Sequence, residues 1–473
     1  MKIFFIASMF CWALPLMAGQ TNLFDNYFHD KTLRVDYNHT GTATIEHISL
    51  DQVYEQGVWA GSKNNVIDTL NLGKFLVKVF DAATNQLIYS RGFASIYGEW
   101  ETTSEAKNEI FRSFHESVLV PFPKKNIQLV IARRDQWMHF QDIFSTIIDP
   151  ASRFINREKR DYGFQTRTLW GGDSPQNKVD FLLLGDGYTK DDIAKFRKDA
   201  ERWKKTLLET EPFKSNSKKI NIRAIEVISK DSGVDEPRKD IWKNTALGCS
   251  YNSLDSPRYL LTFENKAMRD IASAAPYDFI FILVNSKRYG GGGIYNLYAT
   301  GMTGVENPKL DWHVGYMFTH EFGHSFAALG DEYYTSSTSY IDFYPPGVEP
   351  TAPNVTALND PEKIKWKQFT KNSTPLPTPW RKSQFDSLEA IRSTWDRSAP
   401  GYYEKWTKLR ATQLDLTQNS EYAGEIGAFE GAGYSSRGLY RPAIDCRMFS
   451  LSLTPYDPVC NAGIQRMIDF YAN

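Results

Sequence analysis

The apolar and polar residues of this 473-residue chain follow two different patterns. In the first pattern, between residues 21 and 152, short β-prone runs alternate apolar and polar positions and are separated by polar or glycine-containing breaks. Such alternation is typical of strands with one buried face, and several of them in succession predict an antiparallel β-sandwich. The predicted strands are 32–37, 41–50, 75–81, 86–96, 116–121 and 126–133.

The second pattern begins at residue 179, where continuous apolar runs alternate with stretches of helical periodicity. Uninterrupted apolar runs are typical of strands that are buried on both faces. The predicted strands are 179–184, 220–228 and 277–284, with a further edge strand at 294–300; the predicted helices are 189–210, 258–275 and one that ends near Tyr471. Residues 335–411 are irregular and rich in Pro and Trp, and we interpret them as an insertion that walls a cleft.

These patterns predict an α+β protein in which a β-sandwich domain precedes a domain with a mixed sheet and helices. We assign residues 20–152 to the sandwich and 179–473 to the second domain. The polar segment between them, 153–178, contains the run Gly171-Gly172-Asp173-Ser174-Pro175 and is interpreted as a linker.

The N-terminal residues 1–19 resemble a secretory signal peptide. Lys2 is followed by an apolar run to Met17 and by the small residues Ala18 and Gly19. The run is shorter than the ~20 residues of a membrane-spanning helix, and we predict no transmembrane span elsewhere. The sequence therefore predicts export to the periplasm, the cell surface or the extracellular space.

The overall charge adds little to this interpretation. Hydrophobic residues make up 41% and charged residues 23% of the chain, and the formal net charge is −1. A nearly neutral protein offers no electrostatic reason to bind nucleic acid or an anionic membrane, so neither is expected as a partner.

One stretch carries candidate chemistry: His320-Glu321-Phe322-Gly323-His324 has the form H-E-x-x-H. The surrounding apolar residues recur at helical spacing, Asp311 is a plausible N-cap, and Gly330 suits a left-handed C-cap. On a helix, His320 and His324 lie one turn apart on one face and can bind one zinc ion. Glu321 is then suited to act as general base on a metal-activated water.

The third zinc ligand is sought among the remaining acids and histidines. No histidine follows His324, and His313 lies two turns before His320 on the same straight helix. A carboxylate directly after the helix is therefore favoured, with Asp331 as first and Glu332 as second choice. Three protein ligands would leave one position open for water, as in catalytic zinc sites.

Three cysteines remain once the predicted signal is removed: Cys249, Cys446 and Cys460. An oxidising compartment allows a disulfide. Three pairings are possible, and we favour Cys446 with Cys460 because they are near each other in the sequence. The run from Gly290 to Gly293 is interpreted as a place where a peptide backbone can approach an edge strand closely.

Taken together, several motifs resemble those of the bacterial IgA-specific metalloendopeptidases. They are His320 to Phe326 with Asp331-Glu332-Tyr333, Gly427 to Tyr434, and Asp445-Cys446-Arg447-Met448. The resemblance implies a metzincin-like zinc peptidase domain behind a β-rich domain, with Met448 in a turn beneath the zinc. The common metzincin pattern has a glycine three residues after the second histidine and the third ligand six after; here those positions are Ala327 and Gly330, and Asp331 is seven after.

The favoured hypothesis is a secreted zinc endopeptidase with one catalytic Zn²⁺ and a protein or glycoprotein substrate. Glu321 serves as base, His320, His324 and Asp331 as ligands, and proximity suggests that Tyr333 or Tyr334 contacts the substrate or the oxyanion. The alternative is a surface protein that binds glycan or glycoprotein and keeps a vestigial zinc site. The sequence gives no substrate identity, because specificity lies in loops.

Overall fold

The computed structural model describes residues 23–159, 163–335, 340, 343–396 and 399–472. The predicted signal peptide lies outside these residues. The N-terminal part contains eight strands and three short helices: α1 (Leu23–Tyr27), β1 (Phe28–Gly41), β2 (Glu46–Gln56), β3 (Phe75–Asp81), β4 (Leu87–Phe93), α2 (Ile96–Trp100), α3 (Ser104–Lys107), β5 (Arg112–Pro123), β6 (Ile127–Arg134), β7 (Phe140–Ile148) and β8 (Ile155–Asn156).

These strands form two four-stranded sheets with the orders β5-β1-β2-β8 and β4-β3-β6-β7. All neighbouring pairs are antiparallel except β2 with the short β8. Alternate residues of both sheets, such as Val35 of β1 and Val77 of β3, belong to one hydrophobic cluster. The predicted strand 41–50 is wrong, because the chain turns between Thr42 and Ile45 and divides this run between β1 and β2.

The second half is built on a six-stranded mixed sheet. Its strands are β9 (Gln165–Trp170), β10 (Val179–Asp186), β11 (Ile220–Glu226), β12 (Phe279–Val284), β13 (Gly291–Ile294) and β14 (Tyr298–Met302), in the order β13-β14-β12-β10-β11-β9. The four inner strands run parallel, and both edge strands are antiparallel to their neighbours. Every residue of β10, β11 and β12 is buried, as continuous apolar strands between two layers require.

Among its described residues, six α-helices and a hairpin complete this half: α4 (Ile193–Leu208), α5 (Asn265–Ala272), α6 (Trp312–Ala327), α7 (Lys382–Ser393), α8 (Tyr402–Gln418), β15 (Phe429–Ala432), β16 (Ser435–Arg441) and α9 (Pro458–Tyr471). The predicted helix 258–275 is realised only as α5. Residues 335–411 were expected to be irregular, yet they contain α7 and the first part of α8. Few residues of these two helices are buried, so their apolar periodicity is weak.

Parts of the segment 153–178 contribute to both halves. β8 pairs with β2, and β9 pairs with β11 at the edge of the six-stranded sheet. The hydrophobic cluster of the N-terminal sheets also extends to residues of β10, β11 and β12. Within the ranges given above, the structure contains no helix that is both long and apolar enough to cross a bilayer.

Helix α6 lies against the six-stranded sheet through a row of phenylalanines. The ring of Phe322 is centred 4.9 Å from that of Phe181 on β10, and Phe326 is 4.7 Å from Phe279 on β12. Both contacts are edge-to-face, the arrangement that the ring quadrupoles favour. The opposite side of α6, with His320 and His324, is thereby turned away from the sheet.

The ends of α6 differ in detail from the prediction. Asp311 precedes the helix, but its carboxylate binds the guanidinium of Arg202 at 3.0 Å instead of capping the backbone. The left-handed C-cap is Ala328, with φ 51°, two residues before the expected Gly330. This early stop reverses the chain and brings residues 329–332 back beside the final turn of α6.

Candidate metal centre

Three side chains converge beside the last turns of α6. The Nε2 atoms of His320 and His324 are 3.3 Å apart. Oδ1 of Asp331 lies 3.1 Å from Nε2 of His320 and 3.3 Å from Nε2 of His324. Of the described residues, these three form one of the groups able to hold a metal ion. Glu332, the second choice for third ligand, is not part of it.

Backbone contacts fix the orientation of both imidazole rings. Nδ1 of His324 lies 2.6 Å from the carbonyl oxygen of Leu329, and Nδ1 of His320 lies 3.1 Å from that of Arg447. A carbonyl oxygen only accepts hydrogen bonds, so each Nδ1 carries the proton and donates. In the neutral ring this leaves a lone pair on Nε2, which is the arrangement of metal-ligating histidines.

The carboxylate of Asp331 is held from its other side. The hydroxyl of Tyr434 donates to Oδ2 at 2.5 Å, while Oδ1 is buried and accepts no hydrogen bond from the described residues. Burial, followed by the charge of Asp331, raises the pKa of Tyr434 well above its ordinary value, so this hydroxyl stays protonated and remains a donor. Tyr434 has φ 66°, an uncommon conformation for a bulky residue that is often found at functional sites.

The spacing of the three atoms fits a tetrahedral zinc ion. Zn–N and Zn–O bonds of about 2.0–2.1 Å imply ligand atoms about 3.3 Å apart around a tetrahedral centre, and the observed separations are 3.1–3.3 Å. Three polar atoms this close require a positive charge between them, supplied by a proton or by a metal ion. Although burial lowers the pKa of His324, the Asp331 carboxylate outweighs it and raises this pKa to about 9, so the environment favours positive charge here.

Glu321 occupies the next position on α6 and lines the same cavity. Burial raises its pKa above the usual value, although His320 and His324 act in the opposite direction. A raised pKa moves a carboxylate toward the range in which it accepts and releases protons near neutral pH. Glu321 therefore lies next to both histidines with a pKa above its ordinary value.

The glycine run before β14 serves the packing of α6. A Cβ on Gly293 would lie 2.2 Å from the carbonyl oxygen of Glu321, and one on Gly291 would lie 2.8 Å from Glu321 Cγ. The outer edge of β13 is also engaged at Gly291, whose N–H donates to Arg258 and whose carbonyl accepts from Leu260. The interpretation of this run as a peptide-docking site is therefore wrong at Gly291: the small residues admit the helix.

Met448 lies beneath α6. Its side chain is fully buried, and its sulfur would be 3.3 Å from a Cβ added to Gly323, the residue between the two histidines. Its carbonyl accepts a hydrogen bond from the N–H of Glu332 at 3.0 Å. The turn that carries Met448 thus contacts both the helix and the loop after it.

The two adjacent tyrosines point in different directions. Tyr333 lines the cavity, its ring is nearly parallel to that of His320 at 6.2 Å, and the guanidinium of Arg258 lies 5.7 Å from it. Tyr334 instead donates to Asp386 of α7 at 2.6 Å. Only Tyr333 is therefore placed to meet a molecule in the cavity.

The predicted disulfide is not present. Cys446 and Cys460 are both free and buried, with their sulfurs 3.8 Å apart, whereas a disulfide bond is about 2.05 Å long. Both thiols lie beside Glu332, whose Oε1 is 3.3 Å from Cys460 Sγ. Burial and the nearby Asp457 raise the pKa of Glu332 well above its ordinary value.

The candidate metal centre opens into a cavity of about 850 Å³. Its walls come from the second half of the chain and also from the N-terminal part, including Glu99 and residues 133–136. Glu99 accepts hydrogen bonds from the hydroxyls of Tyr259 and Tyr340, the latter at 2.6 Å. The N-terminal part therefore helps to shape the cavity as well as extending the core.

Sequence reasoning missed several residues of this centre. Tyr434 lies 103 residues after its partner Asp331, although it closes the Gly427–Tyr434 motif already noted. Tyr316, whose hydroxyl is 3.1 Å from His320 Nδ1, precedes that histidine by one helical turn and could have been found from this spacing. Arg258 and Glu99 carry no sequence signal that points to the centre.

Two family models match most of the chain. Residues 169–468 match the family model described as IgA Peptidase M64, and residues 23–145 match the one described as Peptidase M64 N-terminus. No curated protein matches the chain.

Among solved structures, one titled "Crystal Structure of a Thermostable Esterase" is 10% identical over 46% of this chain, with a TM-score of 0.16. The match spans 64% of the esterase chain, which is less than two thirds of its length. A likeness this weak supports no inference about fold or function.

Proposed function

The chain belongs to the IgA peptidase M64 family and is thus a peptidase, and from this premise we propose that it is a secreted zinc-dependent endopeptidase. The observation that carries the proposal is the convergence of two imidazole nitrogens and one carboxylate oxygen within 3.1–3.3 Å of one another at a cavity wall. This donor set suits zinc, which binds histidine nitrogen and carboxylate oxygen.

In this proposal His320, His324 and Asp331 hold one catalytic Zn²⁺. When bound, the ion supplies Lewis acidity, which activates water and stabilises negative charge on the scissile carbonyl oxygen. The backbone carbonyls at Nδ1 of the two histidines keep Nε2 directed at the ion. Tyr434 holds the Asp331 carboxylate through Oδ2, which leaves Oδ1 for coordination.

Glu321 acts as the general base of the reaction. It takes a proton from the attacking water and later passes this proton to the amine that leaves when the peptide bond breaks. Its raised pKa, caused mainly by burial, suits both steps. Tyr333 and Arg258 line the cavity near the centre and are the residues best situated to bind the substrate backbone or the developing oxyanion.

We further propose that residues 179–473 form a metzincin-like catalytic domain and residues 20–152 a separate N-terminal domain. The mixed sheet, α6 and the buried Met448 next to Gly323 support this organisation. The sequence of residues 1–19 supports export. Protein or glycoprotein outside the cytoplasm is the substrate class that follows.

A digest of a mixed peptide library tests this function. The purified chain is expected to cleave internal peptide bonds. This cleavage should stop after treatment with a zinc chelator and should resume when zinc is restored. Elemental analysis of the same samples follows the metal. Cleavage that persists after complete removal of zinc would refute the zinc mechanism, and the absence of any cleavage by the zinc-loaded chain would refute the endopeptidase.

A further inference from the structure

A second cluster of potential ligands lies behind the loop that carries Asp331. Glu332, Cys446, Asp457 and Cys460 are all buried, and one potential ligand atom from each lies within 4.8 Å of the others. The residues come from three segments: the loop after α6, the turn that carries Met448, and the start of α9. This cluster, which we call the Cys₂-acid cluster, is not part of the centre on α6.

Two distances within the Cys₂-acid cluster resemble those around a tetrahedral zinc ion. Two thiolates at about 2.3 Å from zinc are about 3.8 Å from each other, and the sulfurs of Cys446 and Cys460 are 3.8 Å apart. A thiolate and a carboxylate oxygen on the same ion are about 3.5 Å apart, and Cys460 Sγ lies 3.3 Å from Oε1 of Glu332.

Two carboxylate oxygens of the cluster have no hydrogen-bond partner among the described residues: Oε2 of Glu332 and Oδ2 of Asp457. The residues are 0% and 6% exposed. Other atoms of the same groups are well engaged, since Asp457 Oδ1 accepts from the N–H of Val459 and Cys460 and Glu332 Oε1 accepts from Asn354. A buried carboxylate oxygen without a partner is costly unless a cation or a proton compensates it.

Within the described ranges, no basic side chain bonds directly to these two carboxylate oxygens. Arg441, a fully buried cation of β16, directs its terminal nitrogens to the carbonyls of Glu430, Gly431 and Ile444. The backbone N–H of Asp457 lies 3.4 Å from Cys446 Sγ, a contact that stabilises negative charge on sulfur.

We propose that Glu332, Cys446, Asp457 and Cys460 form a second, structural zinc site. Two sulfur and two oxygen ligands complete a closed tetrahedron with no position left for water, as structural zinc sites require. The thiols lose their protons on binding, so the ion replaces both protons and the missing partners of the carboxylates.

Such an ion would fasten the loop of the third catalytic ligand. Glu332 directly follows Asp331, and its N–H already donates to the carbonyl of Met448. The structural zinc would join this loop to the Met448 turn and to α9, and so fix the position from which Asp331 reaches the centre on α6. The site uses none of the proposed catalytic ligands, so its zinc can be measured whether or not the proposed proteolysis occurs.

Zinc content of matched variants tests the site. By elemental analysis, the intact chain is expected to bind about two zinc ions, and Cys446→Ser/Cys460→Ser and His320→Ala/His324→Ala about one each. Cys249→Ser, which removes another buried free cysteine, is expected to keep both. A serine pair variant that binds as much zinc as the intact chain would overturn the proposal, as would an intact chain whose zinc is entirely lost in the histidine variant.

Cobalt and thiol measurements on the chain with natural cysteines guard against misfolding of the serine variant. Co²⁺ bound to His320→Ala/His324→Ala should show the intense sulfur-to-cobalt absorption of a thiolate site. A chelator should expose Cys446 and Cys460, but not Cys249, to alkylation. Absence of the absorption, or a Cys446–Cys460 disulfide found by mass spectrometry of the unreduced chain, would contradict the site. Because these readouts need no substrate, failure of the proposed peptidase activity would be recognised separately.

Discussion

Buried histidines lie beside carboxylates in the N-terminal part and on α6, and the consequences for the two groups of histidines differ. In the N-terminal part, Nδ1 of His39 lies 2.9 Å from Glu116 and Nε2 lies 2.7 Å from Glu46. On α6, each histidine donates Nδ1 to a backbone carbonyl and directs Nε2 toward Asp331. In both places one ring nitrogen faces a carboxylate. Whether the other nitrogen faces a second carboxylate or a backbone carbonyl decides the role of the buried histidine.

Carboxylates at both nitrogens stabilise a protonated ring. His39 is 1% exposed, and although burial lowers its pKa, Glu116 and Glu46 outweigh burial and raise the pKa to about 9. Both nitrogens of His39 then carry protons that carboxylates accept, so neither is available to a metal. On α6 a carboxylate faces only Nε2, so the proton that the raised pKa of His324 places there can be replaced by a metal ion, while Nδ1 keeps its proton for the backbone carbonyl.

The largest difference is expected when one histidine is removed from α6 and one from the N-terminal part. His324→Ala deletes a proposed ligand, so cleavage should fall to the background rate and the catalytic zinc should be lost. His39→Asn should keep both zinc binding and cleavage in whatever fraction remains folded. Elemental analysis and peptide digestion of the folded variants measure both quantities. A His324→Ala chain that binds as much zinc as the intact chain and still cleaves, or a folded His39→Asn chain that loses zinc and cleavage, would invert the comparison.

Glu321→Gln tests the base while leaving the metal in place. The amide is nearly isosteric but cannot accept the proton of the attacking water, so cleavage should fall about 10²–10⁴-fold. Zinc content should stay unchanged, because Glu321 is not a proposed ligand. Glu306→Gln, at an exposed position before α6, serves as control. Undiminished cleavage by Glu321→Gln would remove this residue from the mechanism.

The free energy of unfolding should depend on pH through His39 in the N-terminal part. Its folded pKa of about 9 exceeds the ordinary value of 6.5, so the folded chain binds the proton more tightly. The stabilisation is therefore complete below about pH 6.5 and is lost as the pH rises through about 9; it amounts to about 3 kcal/mol. Urea unfolding at pH 6 and pH 10 measures this loss, which His39→Asn should reduce and the exposed control His29→Asn should not. Equal pH dependence with and without His39 would refute the ion-pair assignment.

The sequence predicted the elements whose signal is local. The apolar runs of β10 and β12 and the helix with both histidines could be predicted because their residues are contiguous and nearly all buried. Asp331 could be selected because it is the first carboxylate after the helix, and the structure places it beside both histidines. The match to the family models also agrees with the resemblance seen in the motifs.

The site residues that the sequence did not predict are positioned by contacts between segments that are far apart in the chain. Tyr434 reaches Asp331 from the turn between β15 and β16, and Glu99 reaches the cavity from the N-terminal part. Neither neighbour can be deduced from periodicity. The partners of Cys446 and Cys460 were also mistaken, because proximity in the sequence suggested a bond between the sulfurs without revealing Glu332 and Asp457 beside them.

The smallest expected effect comes from the partner of Asp331. Tyr434→Phe removes the hydroxyl that holds Oδ2 and leaves the carboxylate free to rotate, so zinc affinity should fall about 10–100-fold, with fold stability nearly unchanged. Competition with a chelator of known affinity measures the change. Tyr289→Phe is the matched control, because this cavity tyrosine packs on His313 with ring centres 5.7 Å apart. If Tyr333→Phe lowered the affinity and Tyr434→Phe did not, Tyr333 would be the residue that positions Asp331.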